Sequence, residues 1–402
     1  MKMNFSLLAA SVLFAGSAQA TALLAPGAQD QVPATLAAPR AKAMPAALDR
    51  KPVSVSQPLD GKASLDAAPA PYVAQSREFW SDVGETELRA GVKFTTTAPG
   101  ALVRLSPHGG NGAALDPAGV LVRANGKTLS ANDASTAVAD AKALRSAGMA
   151  VPDGTLVLRL AATGASGEVE IAAPHAQGRY LVHVFEPSST LMLTLSADRD
   201  TVLAGTAIAF VARLADGANP RALKLASGLV TAPDGYSADL AFTRHADGSY
   251  RATFTPDAAH STGPALWEAH VFSATQAGTA TVLRDAKTAF AVSEPSARFG
   301  GAAQVSSDAT GMHVALDVST ATASRYQVSG VLYGTGADGA LHAASLAQSA
   351  AWLGAGNAHI TLGFDAASLT DLHAPFELRD LRLLDQATMA VIERRARGMR
   401  ID

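Results

Sequence analysis

From Tyr72 onward, apolar residues recur at every second position in short runs, and Gly, Asp, Asn and Pro separate the runs. A side-chain period of two is the pattern of a strand with one buried face, and a helical stripe cannot reproduce it. Leu191, Leu193 and Leu195 alternate with Met192, Thr194 and Ser196. Ile208, Phe210 and Ala212 alternate with Ala209, Val211 and Arg213. The run Ala238 to Phe242 leads into His245-Ala246-Asp247-Gly248, after which Tyr250, Ala252 and Phe254 return. Asp-Gly between two alternating runs predicts a hairpin, because glycine accepts the positive φ that the turn demands. The expected fold is all-β.

The same texture predicts three tandem β-sandwich domains: a β-rich unit over 72–190, a second over 191–293 and a third over 294–402. Turns every 8–12 residues across the middle unit suit an immunoglobulin-like sandwich. One stretch departs from period two. Asn132 and Asp133 can cap a helix on which Val138, Ala141 and Leu144 recur at helical spacing, with Gly148 as its stop. The first unit is therefore expected to carry one short helix. Trp267 and Trp352 read as core anchors.

The N-terminus carries a different signal. Lys2, the apolar run Phe5 to Ala15, the break at Gly16-Ser17 and the small residues Ala18-Gln19-Ala20 form a secretory signal peptide over 1–20, cut after Ala20. The run is about half of the roughly 20 apolar residues that a membrane span needs. Export follows, to the periplasm or the medium, with no membrane insertion. Residues 21–71 are rich in Ala and Pro and hold no aromatic residue, which predicts a disordered leader.

Composition removes several kinds of chemistry. With no cysteine there is no disulfide, no thiolate metal site and no thiol nucleophile. A net charge of −3 leaves no basic surface for nucleic acid, and the run Arg394-Arg395-Ala396-Arg397 reads as a solvated strand edge. The ten histidines stand singly, without the i, i+4 pairing that places two imidazoles on one helix face, so no metal or other cofactor is expected. Glu186, Asp198 and Asp200 are the candidates for a calcium ion stiffening the joint between the first two domains. There is no Gly-x-Ser-x-Gly turn, and Ser106 to Gly112 reads as a flexible loop containing His108. His108 and Trp80 remain as binding candidates, Trp80 because it precedes the first domain's alternating strands.

The middle unit resembles bacterial immunoglobulin-like modules in Leu240-Ala241-Phe242, in Asp247 to Phe254, and in Gly263 with Trp267. The C-terminal unit has its own texture in Arg325 to Val328, Leu332-Tyr333-Gly334, Ala351-Trp352-Leu353, Ala374 to Leu378 and Leu383 to Gln386. With the leader, the chain resembles a family of uncharacterised exported proteobacterial proteins, with a unique first domain followed by two immunoglobulin-like ones. That resemblance implies an architecture and no catalytic residue. The expectation is a non-enzymatic exported protein that binds a protein or cell-envelope component. The alternative is a hydrolase or hydrolase accessory, with a site in the first domain or at a domain junction lining up His108, His175 or His183 with carboxylates.

Overall fold

The computed structural model describes residues 19–39, 48–61, 65, 71–109, 112–161, 166–261 and 265–402. Most of the predicted signal peptide lies outside them. The chain is all-β, with several sheets in a multi-domain arrangement and few helices. Three large clusters of buried apolar side chains form among the described residues, centred on Tyr180 and Leu105, on Trp267 and Phe210, and on Tyr326 and Phe364, with a small fourth around Val331 and Tyr333. No helix among the described residues is long and apolar enough to cross a membrane.

The alternating runs become strands with their predicted faces. Leu191–Ala197 buries Leu191, Leu193 and Leu195, and Ile208–Asp216 buries Ile208, Phe210, Ala212 and Leu214. The Asp247-Gly248 turn has Gly248 at φ 77° and joins Thr243–Arg244 to Tyr250–Phe254. Trp267 is fully buried.

The first two cores share a sheet. Its order runs Ser237–Ala241, Leu225–Thr231, Trp267–Ala277, Ala280–Ser293, Glu78–Val83, Arg179–Phe185, Leu102–His108, Leu156–Leu160 and Ser135–Asp140. The crossing from the second core to the first is a single backbone pair, Asp285 opposite Glu78. A four-stranded sheet closes the first core and a six-stranded sheet closes the second.

Several expectations are corrected. The single helix over 132–147 is instead two short turns, Ala131–Ala134 and Ala141–Ser146, flanking the strand Ser135–Asp140, and a third short helix lies at Glu85–Ala90. The strand pairs with Leu156–Leu160, and that pairing overrides a weak helical period. Ser106 and His108 belong to the strand Leu102–His108, not to a loop. Trp352 is only half-buried, and the Arg50 guanidinium covers its ring at 4.3 Å.

The leader is the largest correction. Gln19–Ala22 pairs with Ala297–Asp308, and Val53–Pro58 pairs with Leu341–Leu353, so the leader supplies an outer strand to each sheet of the third core. Proline removes one donor and restricts φ, which excludes a central strand but suits an edge. Between these strands Gln31 bridges Arg394. The arginine run expected at a solvated edge is thereby covered: Arg395 donates to Leu24 O, and Ala396 N donates to Asp30. Val73–Ser76, placed with the first unit, instead pairs with Leu191–Ala197 of the second core.

Candidate functional site

The seam between the first and second cores gathers ionisable and aromatic groups on both sides of the shared sheet. The strand Ala280–Ser293 turns Val282, Arg284, Ala286, Thr288 and Phe290 inward, so an arginine occupies a core-facing position. Arg284 pairs with Glu186, and both are about 1% exposed. Arg284 Nη2 also donates to Thr97 Oγ1 and Ser189 Oγ, and its Nε donates to Leu191 O. Glu186 accepts from the Thr97 and Ala98 backbone amides. Each charge thus meets several partners, which offsets the cost of removing it from water. A cleft of about 380 Å³ lies beside this pair and shares Thr97 and Leu191 with it.

On the opposite face, register sets the neighbours. Glu78 lies opposite Phe185, Trp80 opposite His183 and His183 opposite Arg104; across the seam His270 lies opposite Lys287. The Trp80 indole stacks on the His183 imidazole with centroids 4.8 Å apart and meets the His270 ring edge-on at 5.5 Å. His183 Nε2 lies 2.7 Å from Glu78 Oε2. Lys287 Nζ sits 5.3 Å from the Trp80 ring centre and pairs with Glu268. The patch is a shallow mixture of aromatic and charged groups on a sheet face.

Two of its groups titrate far from their ordinary values. Burial pushes the Asp285 carboxyl up to about 7, although it accepts a hydrogen bond from the Trp80 amide. Burial, and then the nearby Lys287 charge, hold the His270 imidazole down at about 4. His270 Nε2 is 3.9 Å from Asp285 Oδ2 and has no hydrogen-bond partner among the described residues. Between about pH 4 and 6.5 the folded seam therefore holds its proton on Asp285, whereas the unfolded chain holds it on histidine. The slopes follow from linkage. Asp285, raised on folding, contributes stability that falls as pH rises from about 4 to 7; His270, lowered on folding, contributes stability that rises from about 4 to 6.5. The two nearly cancel in the wild type. Asp285→Asn is expected to leave a rise of about 3 kcal/mol across pH 4–6.5, and His270→Gln a fall of about 4 kcal/mol across pH 4–7. Urea unfolding at several pH values measures both slopes, and parallel curves would refute the assignment.

Of the residues singled out from sequence, Trp80 and His183 take part in this patch, His183 beside the Glu78 carboxylate. His108 sits apart, exposed at the end of its strand opposite Arg179. Glu186 does not join Asp198 and Asp200. It faces Arg284, while the strand Leu191–Ala197 separates it from both by roughly 20 Å at the rise of an extended chain. Asp198 instead accepts from the Ala209 amide and from Arg199. No group of three or more His, Cys, Asp or Glu side chains among the described residues is placed to hold a metal. Sequence reasoning missed Arg284, Asp285 and His270. The available signal was the arginine at an inward position of an alternating run.

The comparisons agree with this architecture. A family model described as the N-terminal domain of DUF4785, a domain of unknown function, matches residues 44–186, and one for its C-terminal domain matches residues 296–402. The crystal structure of a DUF4785 family protein from Legionella pneumophila is similar with a TM-score of 0.74 at 18% identity, over 92% of this chain and 99% of that one. At that identity the likeness concerns the fold. An alpha-2-macroglobulin structure from Salmonella gives a TM-score of 0.19 at 10% identity, over 86% of this chain and 24% of that one, and carries no argument. No curated protein matches the chain. The protein thus carries the N-terminal and the C-terminal domains of the DUF4785 family.

Proposed function

We propose that this is an exported, non-enzymatic protein of the periplasm or medium. In this reading its tandem sandwiches, two of them immunoglobulin-like, present the Trp80 face of the shared sheet to a protein or cell-envelope partner. The supporting observation is the partly buried Trp80, stacked on His183 and flanked by His270 and Lys287, with Phe272 beside His270 and Arg104 opposite His183. Aromatic residues with Arg at a pre-organised surface are the usual carriers of binding energy. Two independent cores support the face, so little ordering cost remains for association.

A hydrolytic reading draws on the His183–Glu78 pair, a carboxylate-oriented imidazole at a domain junction. Against it, the ring's other neighbour is an indole, and among the described residues no hydroxyl is hydrogen-bonded to His183. The test compares wild type with Trp80→Ala and His183→Ala in a pull-down from envelope and culture fractions, alongside peptide, ester and glycoside assays. A partner captured by wild type and lost by both variants supports binding. Capture undiminished in both variants would remove this face from the proposal. Turnover abolished by His183→Ala would replace binding with catalysis.

A further inference from the structure

We propose that a cavity at one edge of the first sandwich is a site for a small molecule with an apolar tail of about six to eight carbons and a carboxylate. The cavity measures about 190 Å³. Register explains why it is there. Lys127–Ser130 is the last strand of the four-stranded sheet, and its hairpin with Leu121–Ala124 sets Val122 opposite Leu129 and Ala124 opposite Lys127. Directly opposed residues share a face, so these four side chains point the same way. That face is the core face: Val122 is buried, and Ala124 lies opposite the buried Val169. Leu129 shares it and is nevertheless 41% exposed. The cavity occupies the space in front of it. Leu160, at the end of a strand of the shared sheet, lines the cavity with Ala134 and Ala161, which are joined by a backbone hydrogen bond. The Ala98–Ala101 segment completes the lining.

The lining sets the ligand's chemistry. Leucine, valine and alanine at core-facing positions select an apolar group. An apolar cavity of about 150 Å³ accepts benzene, so this one suits a single aromatic ring or a chain of about six to eight carbons. Lys127 supplies the charge. It sits exposed at the rim, and among the described residues its ammonium has no ion pair. Asp133, the carboxylate of the lining, accepts from the Ser130 hydroxyl and does not pair with Lys127. A lone ammonium at the mouth of an apolar slot matches a carboxylate on an apolar tail, the combination of apolar walls and one placed polar group that small-molecule sites use.

The test is methyl NMR of the whole protein, labelled at Leu and Val and titrated with octanoate, phenylacetate and octanol. Both carboxylates are expected to shift the Leu129, Leu160 and Val122 methyls, with dissociation constants on the order of 0.1–1 mM. The tighter of the two identifies the tail as chain or ring. Lys127→Met should weaken both carboxylates about three- to fivefold, the range for an exposed ion pair, and leave octanol unchanged. Ala124→Phe fills the slot and should abolish binding of all three, with a thermal melt confirming the fold; Ala124→Leu takes its place if that variant melts early. Three results would each overturn the proposal. One is methyls that neither carboxylate moves up to about 10 mM, ten times the weakest expected constant. Another is binding that survives the filled slot. The third is octanoate affinity unchanged in Lys127→Met, which would leave the lysine a guard against edge pairing.

Discussion

Arg284→Met is expected to destabilise the protein by about 3–5 kcal/mol, the cost of removing one partner of a buried ion pair. The loss exceeds that of a surface pair because Glu186 stays behind, about 1% exposed and charged, with only the Thr97 and Ala98 amides as strong donors. Arg284 also links elements of both cores: Thr97 and Glu186 belong to the first, and Leu191 opens the second. Thermal unfolding should show the first two cores melting earlier, with the third unchanged. Combining Glu186→Gln with Arg284→Met should recover part of the loss, since no buried charge then lacks its counterpart. A double variant no better than the single one would show that packing, and not the orphaned carboxylate, sets the cost.

Removing the leader through Gly61 is expected to lower the melting point of the third core by roughly 10–20 °C while sparing the other two. Two sheets lose their outer strands, but most of the destabilisation comes from side chains left without acceptors. Arg325, 6% exposed, donates to the carbonyls of Asp49 and Lys51, and Arg395, 8% exposed, donates to Leu24 O. Each such loss costs about 1–3 kcal/mol, and 1 kcal/mol corresponds to roughly 4–8 °C in a unit of this size. His342 adds a further tie, with Nδ1 3.1 Å from Gly61 O. Differential scanning calorimetry separates the transitions. An unchanged third transition would mean that the leader is an ornament.

How far this structure is legible from sequence depends on whether a residue's partner is local. Strands such as Leu191–Ala197 announce their buried face because alternation is a property of the strand itself. The Asp247-Gly248 hairpin is legible because its turn chemistry is contained in four residues. The leader shows the opposite case. Val53 to Gln57 offers two valines among polar residues, and its conformation comes from a partner strand nearly 300 residues away. Nothing in its own composition distinguishes an edge strand from an extended coil. Ser135–Asp140 failed for the same reason: a fragment of helical period lost to pairing with Leu156–Leu160. At the site, Trp80 was visible as an aromatic residue outside an alternating core. His183 was visible only as a lone outward histidine. Their stacking depends on register between Glu78–Val83 and Arg179–Phe185, which no local pattern encodes.

Residues 19–58 complete a sandwich whose other strands lie between 297 and 401, with hydrogen bonds bridging as many as 371 positions. A ribosome emitting this chain must synthesise almost all of it before those early residues find their seats. The third sandwich is thus the slowest to assemble, since closing so long a loop carries the greatest entropic delay. Until then the bare margin of Leu341–Leu353 is open to any extended segment nearby, and escorting factors would have most to shield there.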